Sequence, residues 1–150
     1  MAAALMLVQL AATLFMTGLI WFVQVVHYPL FPRVGTAEFP LYERLHARRT
    51  GWVVGVPMIV ELLTAGAALW PALRPEWMSR GAAWVLAGLV GVVWASTAVW
   101  QIPLHDELER APTVRAMRRL VGTNWARTVA WTLRSGMLLW VVWRMVRVGA

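Results

Sequence analysis

The 150-residue chain holds three histidines, His27, His46 and His105, and no cysteine. Each histidine stands at the edge of a different apolar stretch. Three imidazoles brought from three helices would form a shell suited to Fe, Cu or Zn. Glu43 lies three residues before His46. In a helix the two would share a face, the Glu-x-x-His spacing that di-iron four-helix proteins use twice. It occurs once here, which favours a mononuclear site. Asp106 and Glu107, beside His105, are further ligand candidates, and Tyr28, beside His27, is a candidate proton donor or redox-active phenol. The lack of cysteine removes thiolate metal sites, a thiol nucleophile and any disulfide framework.

Haem b is the rival occupant. Two histidines on facing helices can ligate one iron axially, arginines nearby would pair with the propionates, and Gly51, Gly55, Gly88 and Gly91 would leave room for a macrocycle. A small bundle, and a third histidine at the same level, count against it. Asn124 and Arg127 reach that level from the last apolar stretch. With Arg48 or Arg49 they would hold an acidic group of a substrate, since guanidinium offers a bidentate fork. Gln24, Gln101 and Trp131 would line the pocket. Plainer roles compete with each assignment: His, Trp and Arg collect at membrane interfaces, glutamines hydrogen-bond between helices, and Glu43 and Asp106 read as solvated loop charges.

The elements that must position these residues follow from composition. Sixty per cent of the chain is hydrophobic, 14% is charged and mean hydropathy is +0.61, against about 25% charge in soluble domains. Four stretches have the roughly 20 apolar residues a spanning helix needs: Leu5 to Val26, Thr50 to Trp70, Ala82 to Ile102, and Trp125 to Val146. The first lacks a basic lead-in and exceeds the length of a signal-peptide core, so it reads as a retained helix. Three connections are expected. His27 to Leu45 is a long loop with three prolines, Pro71 to Gly81 is short, and Pro103 to Thr123 is long and charged. In the third, Val114 to Leu120 suggests a short amphipathic helix near the headgroups, and Pro103 threatens to end its helix before His105. The sum is one all-α domain over residues 1–150, an integral membrane up-down-up-down four-helix bundle.

All fourteen basic residues are arginine, and the net charge is +7. A pI near 11.6 would prompt a nucleic-acid reading. The arginines divide between two membrane sides, however, and the spans fill most of the chain, which excludes it. Nine arginines flank the first and third connections (33, 44, 48, 49, 110, 115, 118, 119 and 127) and four flank the other side (74, 80, 144 and 147). The excess places the first and third connections in the cytoplasm of a bacterial inner membrane and both termini opposite.

Polar residues within the spans fall on helical stripes: Thr17, Gln24 and His27; His46, Thr50, Glu61 and Thr64; Thr97, Gln101 and His105; Asn124, Arg127, Trp131 and Arg134. The four stripes are expected to face inward. The three histidines, Asn124 and Arg127 then share one depth near the cytoplasmic face. Glu61 lies about 22 Å further along its helix at 1.5 Å per residue, within reach of Arg134 as a buried ion pair.

The stretches Asn124 to Trp131 (NWARTVAW) and His27 to Phe31 (HYPLF) resemble a group of small four-span bacterial membrane proteins, and more loosely the anthrone-oxygenase-like family. The resemblance rests on His27, Asn124 and Arg127 and implies an oxidoreductase acting on a hydrophobic, aromatic substrate. Three functions follow as expectations. The first is a metal- or haem-dependent membrane oxygenase taking a carboxylate-bearing hydrophobic substrate. The second is a small transporter, for which a homo-oligomer would compensate the low number of spans. The third is a structural subunit whose arginine rim binds anionic lipid.

Overall fold

A computed structural model describes residues Ala2–Val148. No strand occurs among them, and four long helical rods make up nearly all of the chain. The first rod is α1 (Ala2–Phe22), continued by a π turn (Val23–His27) and a 3-10 turn (Tyr28–Arg33). The second is α2 (Phe39–Leu69). The third joins α3 (Arg80–Ser96), a π turn (Thr97–Gln101) and α4 (Ile102–Arg110). The fourth is α5 (Val114–Val148).

Neighbouring rods run antiparallel, as their hydrogen bonds show. Thr13 meets Glu61 and His27 meets His46 between α1 and α2. Gln24 meets Asn124 and Thr17 meets Ser135 between α1 and α5. Arg134 meets Leu86, and Gln101 meets Thr123, between the third rod and α5.

Two expected loops are largely helical. In the first connection only residues 34–38 lie outside helix, because Pro29 and Pro40 occupy the opening turns of new helical segments, where the missing N–H costs nothing. In the third connection Pro103 does not end the helix. It sits in the first turn of α4, directly after the π turn. A π turn in place of regular α pairing absorbs the hydrogen bond that proline cannot donate, so His105 stays on a helix. Val114 to Leu120 is not a separate headgroup helix. It opens α5, where the Thr113 hydroxyl accepts from the Ala116 N–H at 3.1 Å as a cap. The second connection is short, and the Ser79 hydroxyl ends it by capping α3.

Three rods, Ala2–Arg33, Phe39–Leu69 and Arg80–Arg110, are long and apolar enough to cross a membrane. The fourth is less apolar because arginines recur along it, but Arg127 and Arg134 in its middle point inward and are buried. Large apolar side chains cover the outer surface, among them Phe15, Trp21, Leu63, Trp84 and Leu133. The interior instead alternates apolar and polar. One apolar cluster gathers Met16, Tyr28, Phe31, Phe39, Leu108 and Trp131, and a second gathers Met6, Met78, Leu86 and Leu138.

Between these clusters lies a polar layer. Arg134 Nε donates to Thr13 Oγ1 at 3.1 Å and to Glu61 Oε1 at 3.3 Å, and its Nη1 donates to the Leu86 carbonyl at 2.7 Å. With its amide oxygen turned toward these donors, Gln9 accepts from Nη2 at 2.9 Å. The Thr13 hydroxyl and the Trp131 indole donate to the two Glu61 oxygens at 2.6 and 2.9 Å. The expected Glu61–Arg134 pair is therefore present and fully hydrogen-bonded, as a buried pair requires.

Candidate functional site

The three histidines converge at one end of the rods. His27 leaves the first rod at the π turn, His46 comes from α2 and His105 from α4. His27 Nε2 lies 3.0 Å from His46 Nδ1, and the His46 and His105 ring centres are 5.5 Å apart. Thr50, one turn past His46, puts its hydroxyl 3.2 Å from His46 Nδ1. Tyr42, Phe31 and Tyr28 surround the imidazoles.

Glu43 is on α2, not in a loop, and is completely buried. Its Oε1 holds His105 Nδ1, and Tyr28 Oη lies 2.9 Å from His105 Nε2. A carboxylate only accepts, so His105 carries its proton on Nδ1 and Nε2 accepts from the tyrosine. The result is a chain from phenol to imidazole to carboxylate across three rods. The sequence spacing had linked Glu43 to His46; the helix instead turns its carboxylate toward His105.

This arrangement bears on the cofactors expected from the sequence. Both nitrogens of His105 are engaged by protein groups, and no set of three or more His, Asp or Glu among the described residues is arranged to hold a metal ion. Glu43 is turned to His105, and His27 and His46 present facing nitrogens. The His27 and His46 ring centres are 4.6 Å apart.

A cavity of about 250 Å³ adjoins the relay. Tyr28, His46, His105, Gln101, Asp106 and Arg127 give it polar walls, and Val54, Met58 and Ile102 give it apolar ones. Arg127 is only 7% exposed and makes no hydrogen bond or ion pair with any described residue. Its guanidinium stacks over the Trp131 ring, 5.3 Å from the ring centre. Gln101 donates to Thr123 at 3.0 Å, while its Oε1 is buried without a partner.

The remaining sequence candidates take other places. Trp131 is buried beneath Arg127 with its indole on Glu61, and does not line the cavity. Asn124 and Gln24 bond to each other at 2.8 Å and join the first rod to α5, the glue role, rather than facing the cavity. Arg49 borders a neighbouring flank groove with His27 and His46, and Arg48 is exposed outside both spaces. Glu107 is exposed and lies 3.6 Å from Arg119. Residue type alone gave no reason to single out Thr123, the partner of Gln101. Its only sequence signal is its place one residue before Asn124 on the polar side of α5.

No family model, no curated protein and no solved structure matches this chain.

Proposed function

We propose that the chain is an integral membrane enzyme, an up-down-up-down four-helix bundle in a bacterial inner membrane with both termini on the non-cytoplasmic side. It moves a proton to or from a hydrophobic substrate in the cavity beside Tyr28. The apolar outer surface and polar interior support the membrane reading, since lipid replaces water around the rods. The observation that carries the enzymatic reading is the Tyr28–His105–Glu43 relay beside a half-open cavity. Tyr28 gives its proton to His105 Nε2, Glu43 stabilises the imidazolium, and the phenolate takes a proton from the substrate. The logic is that of the serine triad with a phenol in the hydroxyl position.

The test is deuterium wash-in from D₂O to aromatic carbon acids. Anthrone is included because of the sequence resemblance, and exchange is followed by mass spectrometry on detergent-purified protein. Tyr28→Phe and His105→Asn should lower exchange about 100-fold or more, the scale of general acid–base catalysis. Equal exchange by wild type and Tyr28→Phe would defeat the proposal.

A second reading rests on the facing nitrogens of His27 and His46. Two imidazoles at this separation also suit two ligands of one transition-metal ion in an oxidoreductase. Metal analysis and a visible spectrum of the same preparation separate the two readings: stoichiometric Fe, Cu or Zn lost in His27→Ala favours the second.

A further inference from the structure

Among the buried charged groups of the described residues, Glu43 serves the relay and Glu61 pairs with Arg134, which leaves Arg127 without a partner. Arg134, on the same helix, spends its guanidinium on Glu61, Thr13 and Leu86. Arg127 has no acidic partner and no hydrogen bond among the described residues, and its Nε is sealed from solvent. A buried cation with no counter-charge is expensive, and such groups normally pair or coordinate. The guanidinium lies over the Trp131 ring, and Arg127 also lines the cavity. Trp131 is itself fixed by Glu61, so the guanidinium is held in place from below.

We infer that Arg127 anchors the carboxylate of a small amphiphilic acid, whose apolar body lies between α2 and the third rod against Val54, Met58 and Ile102. The inference rests on the reading of this cavity as a reaction site and names the substrate class. Among the described residues Arg127 is the only arginine lining the space. One guanidinium balances the single charge of a carboxylate and matches its two oxygens bidentately, whereas a phosphate dianion would be left half-neutralised. The cavity is smaller than the roughly 300–1,000 Å³ that takes drug-sized ligands, so it suits a single-ring acid or the head of a longer chain. Gln101 Oε1, on the same wall and without a partner, suits a ligand that also carries a hydroxyl or N–H donor.

The experiment is calorimetric titration of the detergent-purified full chain with benzoate, decanoate and the neutral isostere benzamide. At least one carboxylate should bind about 10-fold or more tighter than benzamide, the scale of a charge-assisted hydrogen bond. That preference should vanish in Arg127→Met. Preference for benzoate points to a free aromatic acid, and preference for decanoate to a membrane-borne fatty acid.

Benzamide binding as tightly as both acids, or an unchanged preference in Arg127→Met, would overturn the inference. Tyr28→Phe should keep the carboxylate preference, so the two proposals fail separately. Loss of exchange in Tyr28→Phe without any Arg127-dependent binding sinks only the anchor, and the reverse pattern sinks only the relay.

Discussion

Arg127 and Arg134 lie two turns apart on α5, both buried, yet their surroundings differ in kind. Arg134 is enclosed by acceptors, whereas Arg127 has an aromatic face beneath it and a cavity beside it. Removing an unpaired buried charge relieves a desolvation cost, so Arg127→Met should leave the melting temperature of the ligand-free protein unchanged or raise it. A clear fall in a thermal unfolding scan would mean that the guanidinium is structurally paired. At this scale the convergence of the three histidines was legible in the sequence. Histidines at three span edges implied a shared level because helix rise converts residue number into depth. Glu43 was misread because charge alone suggests solvent, and only the surrounding helices reveal that His105 is there to receive it. Hydrogen-bond direction was also beyond the sequence, since Tyr28 and His27 are adjacent residues whose side chains serve different imidazoles.

Prolines set the form of the elements around the cavity. Pro29 and Pro103 each follow a π turn, and those turns carry Gln24 with His27 and, in the other, Gln101. The apolar cores of the first three stretches were readable from hydropathy, whereas the fourth is interrupted by arginines. The continuation of helix through proline-bearing segments was not readable, because a π turn leaves no mark in residue type. Further along the rods, Glu61 and Arg134 tie α1, α2, α3 and α5 into one layer. Truncating one partner strands the other charge, so Arg134→Met should cost about 3–5 kcal/mol of stability. Replacing both charges, as in Glu61→Met with Arg134→Met, should restore most of that loss, because burying an ion pair is itself costly. The check is a double-mutant cycle by denaturant unfolding in detergent. Additive losses in the double variant would show that each residue acts through separate partners such as Gln9 or Trp131.

Orientation is a property of the whole molecule, and it would decide from which side the proposed acid reaches the cavity. The relay, Arg127 and most of the arginines lie toward the end that carries residues 34–38 and 111–113, while residues 70–79 turn at the other end. Nine arginines flank the first end and four the second, and basic residues are retained on the cytoplasmic side. Part of this rim is engaged in exposed contacts, Arg44 with Glu109 and Arg119 with Glu107, which contribute little to stability at such exposure; the remaining positive charge is free to meet anionic headgroups. Because the chain has no cysteine, single substitutions report topology without background. Ala72→Cys should react with a membrane-impermeant maleimide in intact cells, whereas Thr36→Cys and Ala111→Cys should react only after the inner membrane is opened. All three positions are exposed, so an unreactive site reports its side of the membrane. The opposite labelling pattern would place the cavity mouth at the non-cytoplasmic face, and the substrate acid would then arrive from outside the cell.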